Sequence, residues 1–470
     1  AAIFEIHGML LDDEDFTQAV SEGLADGLTA EAAVIDAGER MAAVFEGMED
    51  EYLRARAADM RDVCRRVHDR LTGRARGESQ SSPAIIVAPD LSPSETVSLD
   101  PAAVLGFVTF GGSRSSHTAI LARQMGIPAV VMTGPIPDVY DGCDAMLDAA
   151  AGTVTVNPGM EELEAFADRE RLEREKRERL AALAQLPAVT LSGRRIMMMA
   201  NVGSPGEVAA AAAAGADGIG LFRSEFLYLG RDTLPDEEEQ LAAYRKALDS
   251  IPGKPVIVRT LDIGADKTTP ALPMPHEENP ALGIRGVRFS LKNTGIFRTQ
   301  LRALCRASAF GDLRVMLPMV VSADEVRRVR TLLREVQNEL RFEEYPFDPA
   351  MPLGIMLETP AAALMCDALA AECDFFSVGT NDLCQYTLAA DRQNEALGGL
   401  IDENLEPVLR LIRSAAEAVH RAGGGKWIGV CGELAADTAL TSRFLDAGVD
   451  ELSVSVPYIA EVKEKIRAGI

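Results

Sequence analysis

"LGIMLETPAAALMCDALAAECDFFSVGTNDL" occupies residues 353–383 and contains two short apolar runs, each closed by polar or charged side chains. The first run stops at Glu358 and the second at Asn381 and Asp382, with a helical stretch between them. Strand, helix and strand in that order read as a parallel crossover unit. The pattern recurs from about Leu191 as "RIMMMAN", "GIGLFRSE", "PVIVRTLD", "LGIRGVR", "LRVMLPM", "LGIMLET", "FFSVGTND" and "WIGVCGE". Eight such runs separated by helices predict an α/β architecture, a (β/α)8 TIM-type barrel over residues 191–470. A ninth run, "ELSVS", has no place in that count, and an open doubly wound sheet is the competing architecture.

The polar ends of these runs carry the chemistry. Asn201, Arg223, Arg259, Asp262, Arg285, Glu358, Asn381, Asp382, Cys431 and Glu433 all fall at or near a C-terminal end. In a barrel those ends converge on one mouth, where active sites lie. Any one of these residues alone is equally well a salt bridge or a loop anchor. As a set, Arg223, Arg259 and Arg285, with Lys267 and Arg392, form a cationic cluster suited to a substrate bearing phosphate and carboxylate. Glu358 and Asp382 are hard oxygen ligands suited to Mg²⁺, which keeps waters and substrate oxygens in its shell. Cys431 fits either a buried small hydrophobe or a proton donor.

Upstream the pattern changes twice. Residues 3–71 show apolar positions at three- and four-residue spacing without proline, which predicts a helical hairpin or small bundle. After the polar break "GRARGESQSSP", the short runs "AIIVAPD", "VLGFVTF", "PAVVM", "DAMLDA" and "TVTVNP" predict the strands of a small α/β unit. Within it, "GGSRSSHTAILARQMGIPAVV" (residues 111–131) puts His117 on the first turn of a helix behind a glycine-rich loop. Free N–H groups and the dipole favour a phosphate there. The charge-dense stretch "MEELEAFADRERLEREKRERLAALAQL" reads as a solvated connecting helix. The division expected is 1–72, helical; 83–157, α/β; 158–190, linker helix; and 191–470, barrel.

Composition sets limits on function. A chain of 470 residues exceeds one ordinary core. The net charge of −25 disfavours nucleic acid and anionic membranes, favours a basic protein partner, and makes a local arginine cluster necessary for any anionic substrate. The seven cysteines are scattered with no C-x-x-C pair, which argues against a disulfide framework or zinc site and fits a reducing cytoplasm. No apolar run is long enough to span a bilayer, and no signal-peptide pattern opens the sequence.

The segments "LFRSEFLY", "VIVRTLDIGADK", "EENPALGIRGVR", "LETPAAAL", "FFSVGTNDLCQYTLAADR" and "CGELA" closely resemble enzyme I of the bacterial sugar phosphotransferase system. "DLSPSET" and "SRSSHTAILAR" resemble its swivelling phosphohistidine domain, and the similarity runs from about Phe4 to the C-terminus. The resemblance implies that His117 takes the phosphoryl group of phosphoenolpyruvate and passes it to a histidine of the small phosphocarrier protein HPr. It implies that Arg223, Arg259, Arg285, Arg392 and Lys267 bind phosphoenolpyruvate, with Asn381 and the backbone at Asp382 beside them. Glu358 and Asp382 then hold Mg²⁺, Cys431 protonates the departing enolate to pyruvate, and Thr96 orients His117.

The helical segment before Leu71 becomes the HPr-docking domain. A cytoplasmic homodimer joined through the barrel is implied, with hinges at "GRARGESQSSP" and around 157–160. Set against the family, the sequence begins inside the docking domain and stops short at its C-terminus. Ser113 and Ser115 stand where the family often has glycine and threonine; Ser115 keeps a hydroxyl, and Ser113 remains compatible with a turn. Two other readings stay open: a pyruvate phosphate dikinase or phosphoenolpyruvate synthase-like enzyme, and a non-catalytic phosphoenolpyruvate-sensing relative.

Overall fold

The computed structural model describes residues 11, 13–46, 51–73, 83–88, 103–111, 119, 122, 127–134, 136–137, 140–264, 269–272, 274–391, 394 and 397–469. It divides into two compact units, Ala1–Arg171 and Leu172–Ile470.

In the first unit, helices span Glu14–Ala25, Ala30–Glu46 and Glu51–Leu71. Their apolar stripes meet around Phe16, Val34, Ala37, Met60 and Cys64, as the helical spacing predicts. Asp13 starts the first helix by accepting hydrogen bonds from the N–H groups of Asp15 and Phe16. The α/β part follows the apolar runs. Strands β1 (Ala84–Ala88), β2 (Val104–Thr109) and β3 (Ala129–Val130) form a parallel sheet, and β4 (Ala145–Asp148) and β5 (Thr153–Val156) form an antiparallel pair. Thr96 and His117 lie outside the described residues. The helix Met160–Ala184 buries none of its side chains, in keeping with a solvated connector.

The second unit is a closed barrel. After the short β6 (Ala188–Val189), which pairs antiparallel, come β7 (Arg195–Val202), β8 (Gly218–Arg223), β9 (Val256–Arg259) and β10 (Leu313–Leu317). They are followed by β11 (Leu353–Leu357), β12 (Phe376–Val378), β13 (Ile428–Val430) and β14 (Glu451–Ser455). Strands β7 to β14 pair in sequence order, all parallel, and β14 closes back onto β7 from Glu451↔Met197 to Ser455↔Asn201. That closure excludes the open sheet.

One strand assignment is corrected. "LGIRGVR" is not a strand: Arg285 precedes the helix Gly286–Lys292, whose Val287, Phe289 and Ser290 are buried. Gly286 has φ +57°, and a Cβ there would stand 2.7 Å from the Met319 Cβ, so the chain turns sharply against β10's exit. The eighth barrel strand is instead "ELSVS", the run left over from the sequence count.

Two layers of core result. Outward-facing side chains such as Phe222, Val258, Phe376 and Leu452 pack under the helices, among them Tyr244, Phe297 and Phe444. Leu221, Ile257, Met316, Met356, Phe375 and Cys431 fill the lumen. Among the described residues, no helix is long and apolar enough to cross a membrane.

Candidate active site

At the C-terminal ends of the barrel strands lies a cavity of about 840 Å³, lined by Arg223, Arg259, Arg285, Glu358, Asn381, Asp382 and Cys431 among others. All ten residues that the sequence analysis places at or near run ends, Asn201, Asp262 and Glu433 included, therefore share one space, although Arg285 reaches it from the start of a helix and not from a strand end. Lys267 and Arg392 lie outside the described residues.

The arginines fall into two kinds. Arg259, the last residue of β9, is an ion-pair partner of Glu225 (Nη2–Oε1 2.8 Å) and of Asp262 (Nη1–Oδ2 3.3 Å). Arg285 donates a fork to Asp262 through Nε (3.1 Å) and Nη2 (2.8 Å), and reaches Asp382 Oδ2 at 3.5 Å. Burial alone would lower the pKa of both guanidinium groups. The charges of Glu225, Asp262 and Glu358 on Arg259, and of Asp262, Asp382 and Glu358 on Arg285, outweigh it and hold both above the ordinary arginine range. Arg223, the last residue of β8, is exposed and forms no ion pair with a described residue. Two cations are thus held rigid by carboxylates, and a third is free to meet an anion.

Glu358 follows β11 directly and is 1 % exposed. Met319 N–H donates to its Oε1 at 2.7 Å, and Gly379 makes room for it: a Cβ there would stand 2.9 Å from Oε2. Burial first, then the charges of Asp262 and Asp382, push the Glu358 carboxyl well above the usual carboxylate range, against the pull of Arg259. Asp382 sits, buried, in the first turn of the helix Thr380–Leu388. Carboxylates crowded this way outnumber the positive charge beside them, and their oxygens are the hard donors that Mg²⁺ takes. Among the described residues no three His, Cys, Asp or Glu side chains converge as a complete ligand set. The Glu358–Asp382 pair therefore suits an ion that draws its remaining ligands from substrate and water.

The far wall is built by β12 and β13. Asn381 Nδ2 donates to Glu433 Oε1 (2.8 Å) while Glu433 N–H donates to Asn381 Oδ1 (2.9 Å), locking the two loops together. Cys431, just past β13, is 2 % exposed, and its Sγ–H donates to the Val378 carbonyl at 3.5 Å. Burial pushes the thiol up to about 12, so it carries its proton at neutral pH.

Sequence reasoning missed Glu225, which accepts from Arg259 and from the Asp262 N–H (3.1 Å) and so aims the arginine. In "FRSEF" it follows the strand end by two residues and reads only as the first residue of a short helical turn. Asp262 was visible at a strand end, but its role as the hub of both arginines was not.

The comparisons with known proteins cover the whole chain. Three family models match: "PEP-utilising enzyme, PEP-binding domain" over residues 177–469, "PEP-utilising enzyme, mobile domain" over 80–159, and "PEP-utilising enzyme, N-terminal" over 1–56. The phosphoenolpyruvate-protein phosphotransferase of Geobacillus stearothermophilus is 43% identical over 472 residues, covering 99% of this chain and 81% of that protein. The proteins of the same name from Bacillus sp. (strain S) and Staphylococcus aureus (strain MSSA476) are each 42% identical over 99% of this chain, and over 81% and 82% of their own lengths.

Proposed function

The chain belongs to the family of PEP-utilising enzymes, and on that premise we propose that it transfers the phosphoryl group of phosphoenolpyruvate to its own His117 and then to a histidine of the phosphocarrier HPr, releasing pyruvate. The observation that carries this reading is the single cavity uniting three arginines, two carboxylates and a protonated thiol at the barrel mouth.

Each group has a task. Arg259 and Arg285, held by Glu225 and Asp262, meet phosphate and carboxylate oxygens without having to reorganise. Arg223 brings uncompensated positive charge to the phosphoryl oxygens, with Lys267 and Arg392 completing the set. Glu358 and Asp382 would hold Mg²⁺, which would supply positive charge to offset that on the phosphoryl group. The neutral imidazole of His117, oriented by Thr96, attacks phosphorus; the P–O bond to the enol oxygen breaks and leaves the enolate of pyruvate. Cys431 gives its thiol proton to C3 of that enolate.

In the same reading, residues 1–72 dock HPr, 83–157 carry the histidine, 158–190 link, and 191–470 bind phosphoenolpyruvate and form the cytoplasmic homodimer. The test is incubation with phosphoenolpyruvate labelled in its phosphoryl group, plus Mg²⁺. An acid-labile, base-stable phosphoprotein is expected from the wild type and none from His117→Ala. A wild type that stays unlabelled, or a His117→Ala protein that labels, overturns the assignment.

A further inference from the structure

Beneath the mouth, the same lumen buries polar groups that the chemistry above does not use. Register places Ser377, Gly429 and Glu451 side by side on β12, β13 and β14. Residues two apart on a strand face the same way, so this trio forms the layer directly below Cys431. Because Gly429 has no side chain, the Glu451 carboxyl fits into the lumen under the thiol; a Cβ there would stand 3.0 Å from Glu451 Oε1. Gly220 makes room for it from β8: a Cβ there would stand 2.5 Å from Ser453 Oγ and 2.9 Å from Glu451 Oε1.

Two polar atoms in this layer lack hydrogen-bond partners among the described residues. Glu451 is 2 % exposed, and Trp427 Nε1–H donates to its Oε2 at 3.0 Å, but Oε1 has no hydrogen bond among the described residues. The Ser377 hydroxyl, 1 % exposed, likewise makes no hydrogen bond of ordinary geometry, yet stands near enough to Cys431 to favour the thiolate. A buried carboxylate without a cation is costly, whereas a neutral carboxylic acid is not and has a proton to give.

The charges that bear on Glu451 are few. Burial raises its pKa to about 7, the Trp427 N–H and Arg314 on β10 pull it down, and the neighbouring Asp450 pushes it up. Arg314 stacks over the Trp427 ring, 4.9 Å from its centroid, rather than bonding the carboxyl. From the thiol's side, Glu358, Arg259 and Glu451 are the charged groups that act on Cys431.

We infer that Glu451 stores the proton that restores the Cys431 thiol after that thiol has protonated the enolate. The inference rests on the role proposed for Cys431. When the S–H bond breaks and a C–H bond forms on C3, a buried thiolate is left. It takes a proton from the Ser377 hydroxyl, which takes one in turn from the Glu451 carboxyl after a side-chain rotation, since among the described residues neither Ser377 Oγ nor Glu451 Oε1 is hydrogen-bonded as they stand. The Glu451 O–H bond breaks, S–H is re-formed, and the carboxylate regains a proton from bulk water at the barrel's foot, where Trp427 is only half-buried. Since the thiol is by far the weaker acid, the proton moves toward sulfur. Glu451 touches neither substrate nor metal and is a positioning residue for the proton Cys431 carries.

The test follows exchange of the C3 hydrogens of pyruvate with deuterated water, with full-length enzyme and Mg²⁺, from pH 5.5 to 9. Glu451→Gln keeps the volume and an acceptor for Trp427 but has no acidic proton. It should slow exchange at least tenfold with the KM for pyruvate unchanged, and abolish the inflection near pH 7. Ser377→Ala should slow exchange by a smaller factor. An inert Cys431→Ala enzyme, together with a Glu451→Gln enzyme that exchanges at the wild-type rate and with the wild-type pH profile, overturns the store alone. A Cys431→Ala enzyme that exchanges normally overturns the parent reading of the thiol.

Discussion

The two ends of the barrel bury carboxylates under different conditions. At the mouth, Glu225 and Asp262 face the guanidinium groups of Arg259 and Arg285 at 2.8 Å. At the foot, among the described residues, Glu451 is hydrogen-bonded by one indole N–H and by no cation, with Arg314 acting on it only from a distance. Ionised oxygen survives burial where positive charge stands opposite it; otherwise the cheaper state is protonated. Around Glu225 and Asp262 the mouth therefore holds fixed charge suited to anions, while Glu358 beside them, raised like Glu451, is left for a metal ion to ionise. The foot is a place for a proton.

The largest way to break this contrast is to remove a cation from the mouth. Arg259→Met should leave Glu225 and Asp262 short of a partner and cost about 3–5 kcal/mol of stability. It should also slow pyruvate formation from phosphoenolpyruvate by about a hundred- to a thousandfold. Adding Glu225→Gln should recover part of the stability and none of the activity. Urea midpoints and steady-state rates measured together decide it: a double variant that regains activity would mean that Arg259 serves only to balance charge.

A smaller effect is expected at the foot, and it has a definite sign with pH. The folded-state pKa of Glu451 is raised from 4.5 to about 7, so the folded protein binds this proton more tightly than the unfolded chain. The group's contribution is fully present below pH 4.5 and is lost as pH rises through 7, by up to about 3 kcal/mol. Glu451→Gln should match the wild type near pH 4.5 and become the more stable protein at pH 8. Unfolding free energies that stay parallel across that range would show the carboxyl to be ionised throughout.

The same contrast explains what could be read from sequence. Strand periodicity and polar strand ends are local, so the barrel class and the convergence of Arg223, Arg259, Arg285, Glu358, Asn381, Asp382 and Cys431 were legible. Strand identity was not legible at "LGIRGVR", where two glycines amid apolar residues resemble a strand run while Gly286 turns left-handed. The place of "ELSVS" depends on β14 meeting β7, residues more than two hundred positions apart, and no local pattern records that. Glu225 and Glu451 escaped for the same reason. One is defined by an arginine on the next strand, the other by a tryptophan at the foot and by glycines on strands across the lumen.

The smallest effects expected come from two alanines placed symmetrically. Gly379 backs Glu358 at the mouth, where a Cβ would stand 2.9 Å from Oε2 and 3.0 Å from the Glu358 Cβ. Gly429 backs Glu451 at the foot, where a Cβ would stand 3.0 Å from both Oε1 and the Glu451 Cβ. The crowding is nearly equal, so each substitution should cost about 1–2 kcal/mol in urea titrations. Their consequences should part. Gly379→Ala displaces a proposed metal ligand and should raise the Mg²⁺ concentration needed for half-maximal labelling of His117. Gly429→Ala crowds the Glu451 carboxyl under Cys431, so it should leave the Mg²⁺ requirement alone and shrink the stability change between pH 4.5 and 8. If both alanines shift the Mg²⁺ requirement together, the two ends of the lumen behave as one electrostatic site and the distinction between them fails.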